Sequence, residues 1–244
     1  MFTCKYLFSR NMKDTTEAKR KLFINAEAAE FQETILRSTS AHIHPYVMDI
    51  NRIEYTIFPN TFNPVYAKAA MLLLDNLGAR EGDTVLDPFT GTGVDGLFAV
   101  KRYRASHATL ADINPWACLT ARYNALNLSI DNKVDIYEGP WHEVVPKNKK
   151  YSLVVANPPF KEMYADTLLE KAIRDEQGDT MKNFFKHIPS RLEDDGRIRI
   201  VFSNVGDMDK FYNYCEDTGF KRELIASDMF GAAIDIHVYE LTKA

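Results

Sequence analysis

Hydrophobic and polar positions follow two different patterns along this chain of 244 residues, and the change lies near residue 60. From there to the end, short apolar runs rich in β-branched residues are separated by longer stretches with helical periodicity. The runs predict seven strands, at residues 84–86, 107–111, 133–137, 151–156, 197–203, 221–227 and 234–241. The longer stretches predict helices at residues 65–77, 93–103, 115–126 and 207–218.

The order of these elements predicts the architecture of the chain. Strands separated by helices imply right-handed crossovers and therefore a mostly parallel sheet. The last two strands have no helix between them, which fits an antiparallel addition at one edge. The expected fold is α/β, with a seven-stranded, mostly parallel sheet that has an antiparallel edge strand.

Residues 1–55 are predicted to form an N-terminal helical appendage, and residues 56–244 the main domain. Asp14, with Glu17 three residues later, indicates a helix start. One apolar helix face is predicted downstream, from Ile24, Ala28, Phe31 and Ile35. The basic segment 5–21 favours a solvated helix packed on the main domain, and contact with a phosphate backbone or an acidic partner is the alternative. We expect the appendage to shape access to the acceptor site of the main domain.

Two motifs come directly after predicted strands. Residues 87–93 (DPFTGTG) follow the first strand, and residues 157–160 (NPPF) follow the fourth. Glycines between a strand and a helix let the backbone approach a ligand closely, and paired prolines end a strand in a rigid turn. Because ligands bind outside the carboxyl ends of strands in open α/β sheets, both motifs are candidate site segments.

Asp112 ends the second predicted strand and follows Gly93 by 19 residues. A carboxylate at this spacing is typical of one that accepts hydrogen bonds from ribose hydroxyls. An ordinary helix cap before Pro115 is a second role, compatible with the first.

The two motifs, in this order and at this separation, resemble those of the S-adenosylmethionine-dependent N-methyltransferases of the class I, Rossmann-like fold. Residues 110–115 (LADINP) and 121–125 (ARYNA) are similar to a stretch of the protein-glutamine and ribosomal-RNA guanine enzymes, a group that also includes adenine N-methyltransferases. Residues 58–64 (FPNTFNP) resemble the segment that lies over their cofactor. The resemblance implies a class I methyltransferase domain with S-adenosylmethionine as its cofactor.

The resemblance also implies which residues contact the cofactor: Asp87, Phe89, Thr90, Gly91, Gly93, Asp112, Ile113, Glu138 and Asn157. In this family the acidic residue at Asp87 faces the methionine end of the cofactor. An acidic residue after the third strand often contacts the adenine, but Pro140 stands there in this chain. Glu138 or a stacking Trp141 could replace it, and Trp141 would serve equally well as a core residue.

Asn157, Pro158 and Phe160 form the predicted catalytic set. A nitrogen conjugated to a carbonyl group or a ring is a poor nucleophile, since its lone pair is delocalised. The Asn157 side-chain oxygen and the Pro158 carbonyl oxygen can accept its N–H groups and direct the lone pair at the methyl group. Phe160 offers a flat face for stacking. The alternative for this motif is a rigid turn with a buried phenylalanine.

The acceptor itself remains open at this point. A side-chain amide of a polypeptide, an exocyclic amino group of a nucleobase and a small molecule all fit, and a non-catalytic, methyltransferase-like binding subunit is an alternative of another class. Phe160 is the residue that the ribosomal guanine enzymes and some adenine enzymes carry, whereas protein-glutamine enzymes usually carry tyrosine. Segment 161–180 fits either a lid, with Met163, Tyr164 and Leu168 lining a pocket, or a solvated linking helix.

Composition indicates which binding partners and which cellular compartment suit this chain. A formal net charge of −4 disfavours a protein whose whole surface binds nucleic acid. Three scattered cysteines indicate free thiols in a reducing cytoplasm, and no apolar run approaches the ~18 residues of a membrane span. His42 and His44 share one side of an extended segment, but no ligand cluster completes a metal site, so none is expected. The oligomeric state is left open.

Overall fold

The structure is a computed structural model that describes residues 24–244. Its first elements are helix α1 over residues 24–40 and a two-stranded antiparallel hairpin, β1 (Tyr46–Ile50) and β2 (Ile53–Ile57). The predicted apolar face of α1 is confirmed, because Ile24, Ala28 and Ile35 are buried. The helix start at Asp14 and the basic segment 5–21 lie outside the described residues.

The main sheet and its helices follow in chain order. The elements are α2 (Lys68–Asp75), β3 (Thr84–Asp87), α3 (Val94–Tyr103), β4 (His107–Asp112), α4 (Pro115–Asn127), β5 (Val134–Glu138), α5 (Trp141–Val144), β6 (Tyr151–Ala156), α6 (Leu168–Lys171), α7 (Asp179–His187), β7 (Leu192–Ser203), α8 (Met208–Asp217), β8 (Phe220–Phe230) and β9 (Ile234–Lys243). All seven predicted strands are therefore present in one sheet.

The predictions missed several features. The hairpin β1–β2 and the helices α5 and α7 have no counterpart in the predicted elements, and the predicted helix 65–77 is interrupted. Ala67 is extended, with φ −119° and ψ 109°, so a short 3₁₀ turn at Pro64–Tyr66 precedes α2. The predicted boundary at residues 55 and 56 falls inside β2, and the division into two domains stays a prediction.

The strand order of the sheet is β5-β4-β3-β6-β7-β9-β8, and β9 runs antiparallel to both of its neighbours. From β3 the chain builds outward through β4 and β5, then returns to β6 and β7 on the other side. The connections therefore diverge between β3 and β6, and a crevice forms there at the carboxyl ends of the strands.

Alternate residues of the central strands supply two cores, one on each face of the sheet. Val85, Leu153 and Val155 join a cluster with α2, α3 and α4, whereas Leu86 and Val154 join a cluster with α5, α7 and α8. Helices cover both faces, so the central strands are apolar on both sides, as expected for a parallel sheet. Among the described residues, no helix is long and apolar enough to cross a membrane.

Candidate active site

A cavity of about 450 Å³ lies at the carboxyl ends of the parallel strands. This volume is within the range of about 300–1,000 Å³ that is usual for small-molecule sites. Six of the residues predicted to contact a cofactor line it: Phe89, Thr90, Gly91, Asp112, Ile113 and Asn157. The other three, Asp87, Gly93 and Glu138, lie outside its lining.

Asp87 holds the glycine-rich loop in place through hydrogen bonds. Its carboxylate accepts hydrogen bonds from the Thr90 hydroxyl, at 2.7 Å, and from the Gly96 backbone N–H, at 3.1 Å. Only 1% of Asp87 is exposed. Gly93 begins α3 with φ 85°, and a Cβ there would lie 3.0 Å from Ala121 Cβ, so the turn requires glycine. These contacts fix the loop against α3 and α4.

Asp112 holds the same loop from the neighbouring strand. Its two carboxylate oxygens accept hydrogen bonds from the backbone N–H groups of Gly91 and Asn114, both at 2.8 Å. Asn114, and not Asp112, caps α4, since its side-chain oxygen accepts from the Trp116 N–H at 3.0 Å. Asp112 lines the cavity, and the predicted contact with a ribose requires this position.

Two carboxylates, those of Asp95 and Asp112, line the cavity, and a third, that of Asp87, is buried under its glycine-rich loop. Burial raises the pKa of Asp87 to about 7, and burial also raises the pKa of Asp112. Asp95, which the sequence predictions missed, lines the cavity from the first turn of α3, and burial together with the charge of Asp87 raises its pKa. Raised carboxylate pKa values mean that negative charge is costly here, so a cationic ligand would relieve the cost. The sulfonium and ammonium groups of S-adenosylmethionine fit this requirement.

Segment 58–64 closes the cavity from the side of α4. The Asn114 side-chain amide donates a hydrogen bond to the Asn60 carbonyl at 2.8 Å, and the Thr61 and Thr120 hydroxyls are 3.1 Å apart. Phe62 from this segment lines the cavity. The segment is therefore tied to the helix that begins directly after Asp112.

The opposite end of the cavity is lined by residues that follow β5. Trp141 lines the cavity and is also a core residue, 3% exposed, with its ring centroid 6.1 Å from that of Phe184. Glu138 is exposed at the end of β5. The contact to the adenine stays a prediction for both residues.

The segment that follows the NPPF motif forms a further wall of the cavity. Leu168 lines it, whereas Met163 and Tyr164 are exposed and do not. Thr167 and Glu170 form a capping box at the start of α6. Asp175, which is buried, accepts hydrogen bonds from the Thr180 and Met181 N–H groups and so caps α7 from a distance in sequence.

The NPPF motif stands between the large cavity and a second, smaller one of about 70 Å³. Asn157 and Pro159 line both cavities, and Pro158 and Phe160 line only the second. The Asn157 side chain makes no hydrogen bond with any of the described residues. Its amide is therefore available to a ligand at the point where the cavities meet.

Two contacts hold this turn in place. The Phe160 ring lies edge-on to Phe202, with 5.5 Å between centroids. Gly206, in the loop after β7, approaches the motif so closely that a Cβ would lie 2.5 Å from the Phe160 carbonyl oxygen. The turn is thus packed against β7 and the loop that follows it.

Helix α1 supplies one wall of the second cavity through Ala28, Phe31, Gln32 and Ile35. The Gln32 side-chain amide donates a hydrogen bond to the Ile173 carbonyl at 3.3 Å, which links α1 to the wall formed by segment 161–178. The Phe31 ring contacts Phe230, with 4.2 Å between centroids. The second cavity is therefore mostly apolar, with aromatic rings on several sides.

The sequence profile of the family described as methyltransferase small domain matches residues 65–215, which is more than half of the chain. The chain belongs to this family. Its members are S-adenosylmethionine-dependent enzymes, so the predicted methyltransferase family and its cofactor are confirmed.

Similar proteins include a tRNA1(Val) (adenine(37)-N6)-methyltransferase of Pedobacter heparinus, 28% identical over 55% of this chain and 60% of that protein. A release factor glutamine methyltransferase of Vibrio cholerae is 32% identical over 43% of this chain and 37% of that protein. The chain thus spans less than two thirds of these relatives. A solved M. jannaschii tRNA m1G37 methyltransferase shares the fold, with a TM-score of 0.59 and 17% identity over 83% of this chain and 55% of that one.

Proposed function

We propose that this chain transfers a methyl group from S-adenosylmethionine to a planar nitrogen of a macromolecular acceptor. The observation that carries the proposal is that the large cavity and the apolar cavity meet at Asn157 and Pro159. A methyl donor in the first cavity and an acceptor group entering from the second would face each other at this turn.

Asn157 and Pro158 orient the acceptor in this proposal. S-adenosylmethionine supplies a methyl group on a positively charged sulfur. The Asn157 side-chain oxygen and the Pro158 carbonyl oxygen accept the two N–H groups of an amide or amino group, which aims the nitrogen lone pair at the methyl carbon. Fixed acceptors also stabilise the positive charge that develops on the nitrogen, and they do so more strongly where water is excluded. The proton leaves the nitrogen after the transfer, so the site needs no strong general base.

The apolar second cavity supports a flat, uncharged acceptor group. Phe31, Phe62 and Phe160 contribute rings to its wall, and such rings favour planar groups by stacking. The names of the two relatives above specify an adenine N6 atom and a glutamine side chain, and both of these acceptors are planar nitrogens. These relatives also favour a macromolecular acceptor over a small molecule.

The test is to incubate the protein with S-adenosylmethionine that carries a labelled methyl group, together with separate protein, RNA, DNA and small-metabolite fractions. We expect label in the protein or RNA fraction, and hydrolysis of the product should place it on an amide or exocyclic amino nitrogen. Label on carbon or on a hydroxyl oxygen would contradict the planar-nitrogen proposal. Binding of S-adenosylmethionine without conversion to S-adenosylhomocysteine in any fraction would favour a non-catalytic binding subunit.

A further inference from the structure

The Asp95 carboxylate lines the large cavity without a hydrogen-bond partner among the described residues. Asp95 is the second residue of α3 and lines the cavity together with Phe62 from segment 58–64. The carboxylates of Asp87 and Asp112 differ from that of Asp95, since each accepts two hydrogen bonds from the chain.

A second unpaired polar group lies near Asp95. Tyr55 from β2 is fully buried, and its hydroxyl has no hydrogen-bond partner among the described residues. Burial raises the pKa of Tyr55, and the charge of Asp95 raises it further, so the carboxylate lies close enough to be felt there. Asp95 and Tyr55 are therefore two polar groups without a hydrogen-bond partner among the described residues, and Asp95 is the one of the two that lines the cavity.

Helix stabilisation alone does not explain a carboxylate at this position. A first-turn aspartate interacts favourably with the positive end of the helix dipole, typically by about 0.3–1 kcal/mol at exposed sites. Asp95, however, lies beside the buried Asp87 carboxylate, and burial raises the pKa of both groups. Two neighbouring carboxylates repel each other when both are charged, so either a proton or a cation beside them stabilises the arrangement.

We propose that Asp95 binds the α-ammonium group of the methionine moiety of S-adenosylmethionine, while Asp87 shapes the loop without contacting the cofactor. The inference rests on the proposed function, in which the cofactor occupies the large cavity. An ammonium group would donate a charge-assisted hydrogen bond to the free Asp95 carboxylate and neutralise the pair. Asp87 does not line the cavity, and its Oδ2 atom already accepts hydrogen bonds from Thr90 and Gly96.

Two nucleoside ligands distinguish a contact with the ammonium group from contacts with the rest of the cofactor. S-adenosylhomocysteine has the ammonium group, and 5′-methylthioadenosine lacks the whole amino-acid portion. Calorimetry should measure both ligands with the wild type, with Asp95→Asn and with the control Asp209→Asn. Asp209 is also a first-turn aspartate, on α8, but it is exposed and lies outside both cavities.

We expect Asp95→Asn to lower the affinity for S-adenosylhomocysteine by about tenfold or more, as for the loss of a hydrogen bond between charged groups. Its affinity for 5′-methylthioadenosine should stay within about twofold of the wild type. Asp209→Asn should change neither affinity.

Unchanged affinity of Asp95→Asn for S-adenosylhomocysteine would overturn the proposal. An equal loss for both ligands would also overturn it, because it would show that Asp95 acts on the shape of the cavity. A wild type that binds neither ligand would instead refute the cofactor site, and with it the proposed function.

Discussion

At the scale of single residues, Asp87 makes stability depend on pH. The native state raises its pKa from 3.8 to about 7, so between these values the folded protein holds a proton that the unfolded chain has lost. Unfolding in this range releases that proton, so a higher pH favours the unfolded state. The contribution of Asp87 to stability is therefore greatest at low pH and is lost as pH rises through 7. We predict that the stability of Asp87→Asn relative to the wild type is greater at pH 8 than at pH 5.5, because asparagine does not ionise.

The measurement is the free energy of unfolding in urea at both pH values, for wild type, Asp87→Asn and the exposed control Asp209→Asn. Asparagine can still accept the hydrogen bonds from Thr90 and Gly96 through its side-chain oxygen. The variant should gain on the order of 1 kcal/mol or more on the wild type between pH 5.5 and 8. The same difference at the two pH values would show that Asp87 is not protonated in the native protein.

Gly206 offers a second test at the scale of one residue. Its φ lies outside the left-handed region, so alanine introduces no backbone strain, but its Cβ would lie 2.5 Å from the Phe160 carbonyl oxygen and 2.8 Å from the Phe202 ring. We predict that Gly206→Ala displaces the NPPF turn and lowers methyl transfer by about tenfold or more, because small displacements at a reacting centre are costly. Affinity for S-adenosylmethionine, measured by calorimetry, should change far less. Equal losses of transfer and affinity would contradict this separation.

Residues inside the two motifs could be predicted from the sequence, because each motif follows an apolar run and carries glycine or proline at the turn. Asp95 and Gly206 could not. The importance of Asp95 depends on burial beside Asp87, and that of Gly206 on contact with a segment far away in sequence. Neither contact leaves a local pattern.

At the scale of elements, α1 is the part that we expect to govern the acceptor. Gln32 is buried, lines the second cavity and donates a hydrogen bond to the Ile173 carbonyl. We predict that Gln32→Ala raises the KM for the acceptor severalfold, on the scale of about 1 kcal/mol for one hydrogen bond, without changing S-adenosylmethionine affinity. Steady-state kinetics and calorimetry measure the two effects.

Glu30→Ala is the control for this prediction, since Glu30 is exposed on the same helix and lies outside both cavities. It should leave both quantities unchanged. If Gln32→Ala weakened cofactor binding as much as it raised the acceptor KM, α1 would be a structural support of the whole domain.

The elements differ in how far the sequence predicted them. Strand β6 agrees to the residue because it is a continuous apolar run. The hairpin β1–β2 was missed because only Ile50 of β1 is buried and because its turn uses Asn51 and Arg52 at φ 51° and 65°, where glycine usually signals such a turn. Helix α7 was missed because its cap, Asp175, lies several residues before it.

At the scale of the whole molecule, a buried ion pair joins the two halves of the sheet at the end opposite to the cavity. The Arg197 guanidinium on β7 lies 2.6 Å from the Asp83 carboxylate before β3 and also donates to the Gly78 carbonyl at 2.7 Å. Burial opposes the charge of Asp83, but the hydrogen bonds from Arg197 and its neighbours outweigh it and lower the pKa of this carboxyl. The pair therefore connects β3, β7 and the chain after α2.

We predict that Arg197→Met destabilises the protein by about 3–5 kcal/mol at pH 7, because it leaves a buried carboxylate without its partner. The double variant Asp83→Asn/Arg197→Met should lose less, since no charge is then buried. Arg37→Met breaks the exposed pair with Glu33 and should cost less than about 1 kcal/mol. Urea unfolding measures all three, and a double variant no more stable than Arg197→Met would contradict the explanation by charge burial.

The α/β class and the mostly parallel sheet could be predicted because strands and helices alternate in the sequence from β3 to β7. The meeting of two cavities at Asn157 could not be predicted, since it depends on how α1, segment 58–64 and segment 161–178 pack around the NPPF turn.

The central claim is that Asn157 orients a planar nitrogen for methylation, and the paired effect of Asn157→Ala on binding and transfer tests it most directly. S-adenosylmethionine affinity by calorimetry and single-turnover transfer to the acceptor fraction should be measured for wild type, Asn157→Ala and the exposed control Asn213→Ala. We predict that Asn157→Ala leaves affinity within about twofold of the wild type and lowers the transfer rate by roughly 10²-fold or more, while Asn213→Ala matches the wild type. A transfer rate for Asn157→Ala equal to that of the wild type, or a loss of affinity as large as the loss of rate, would contradict the claim.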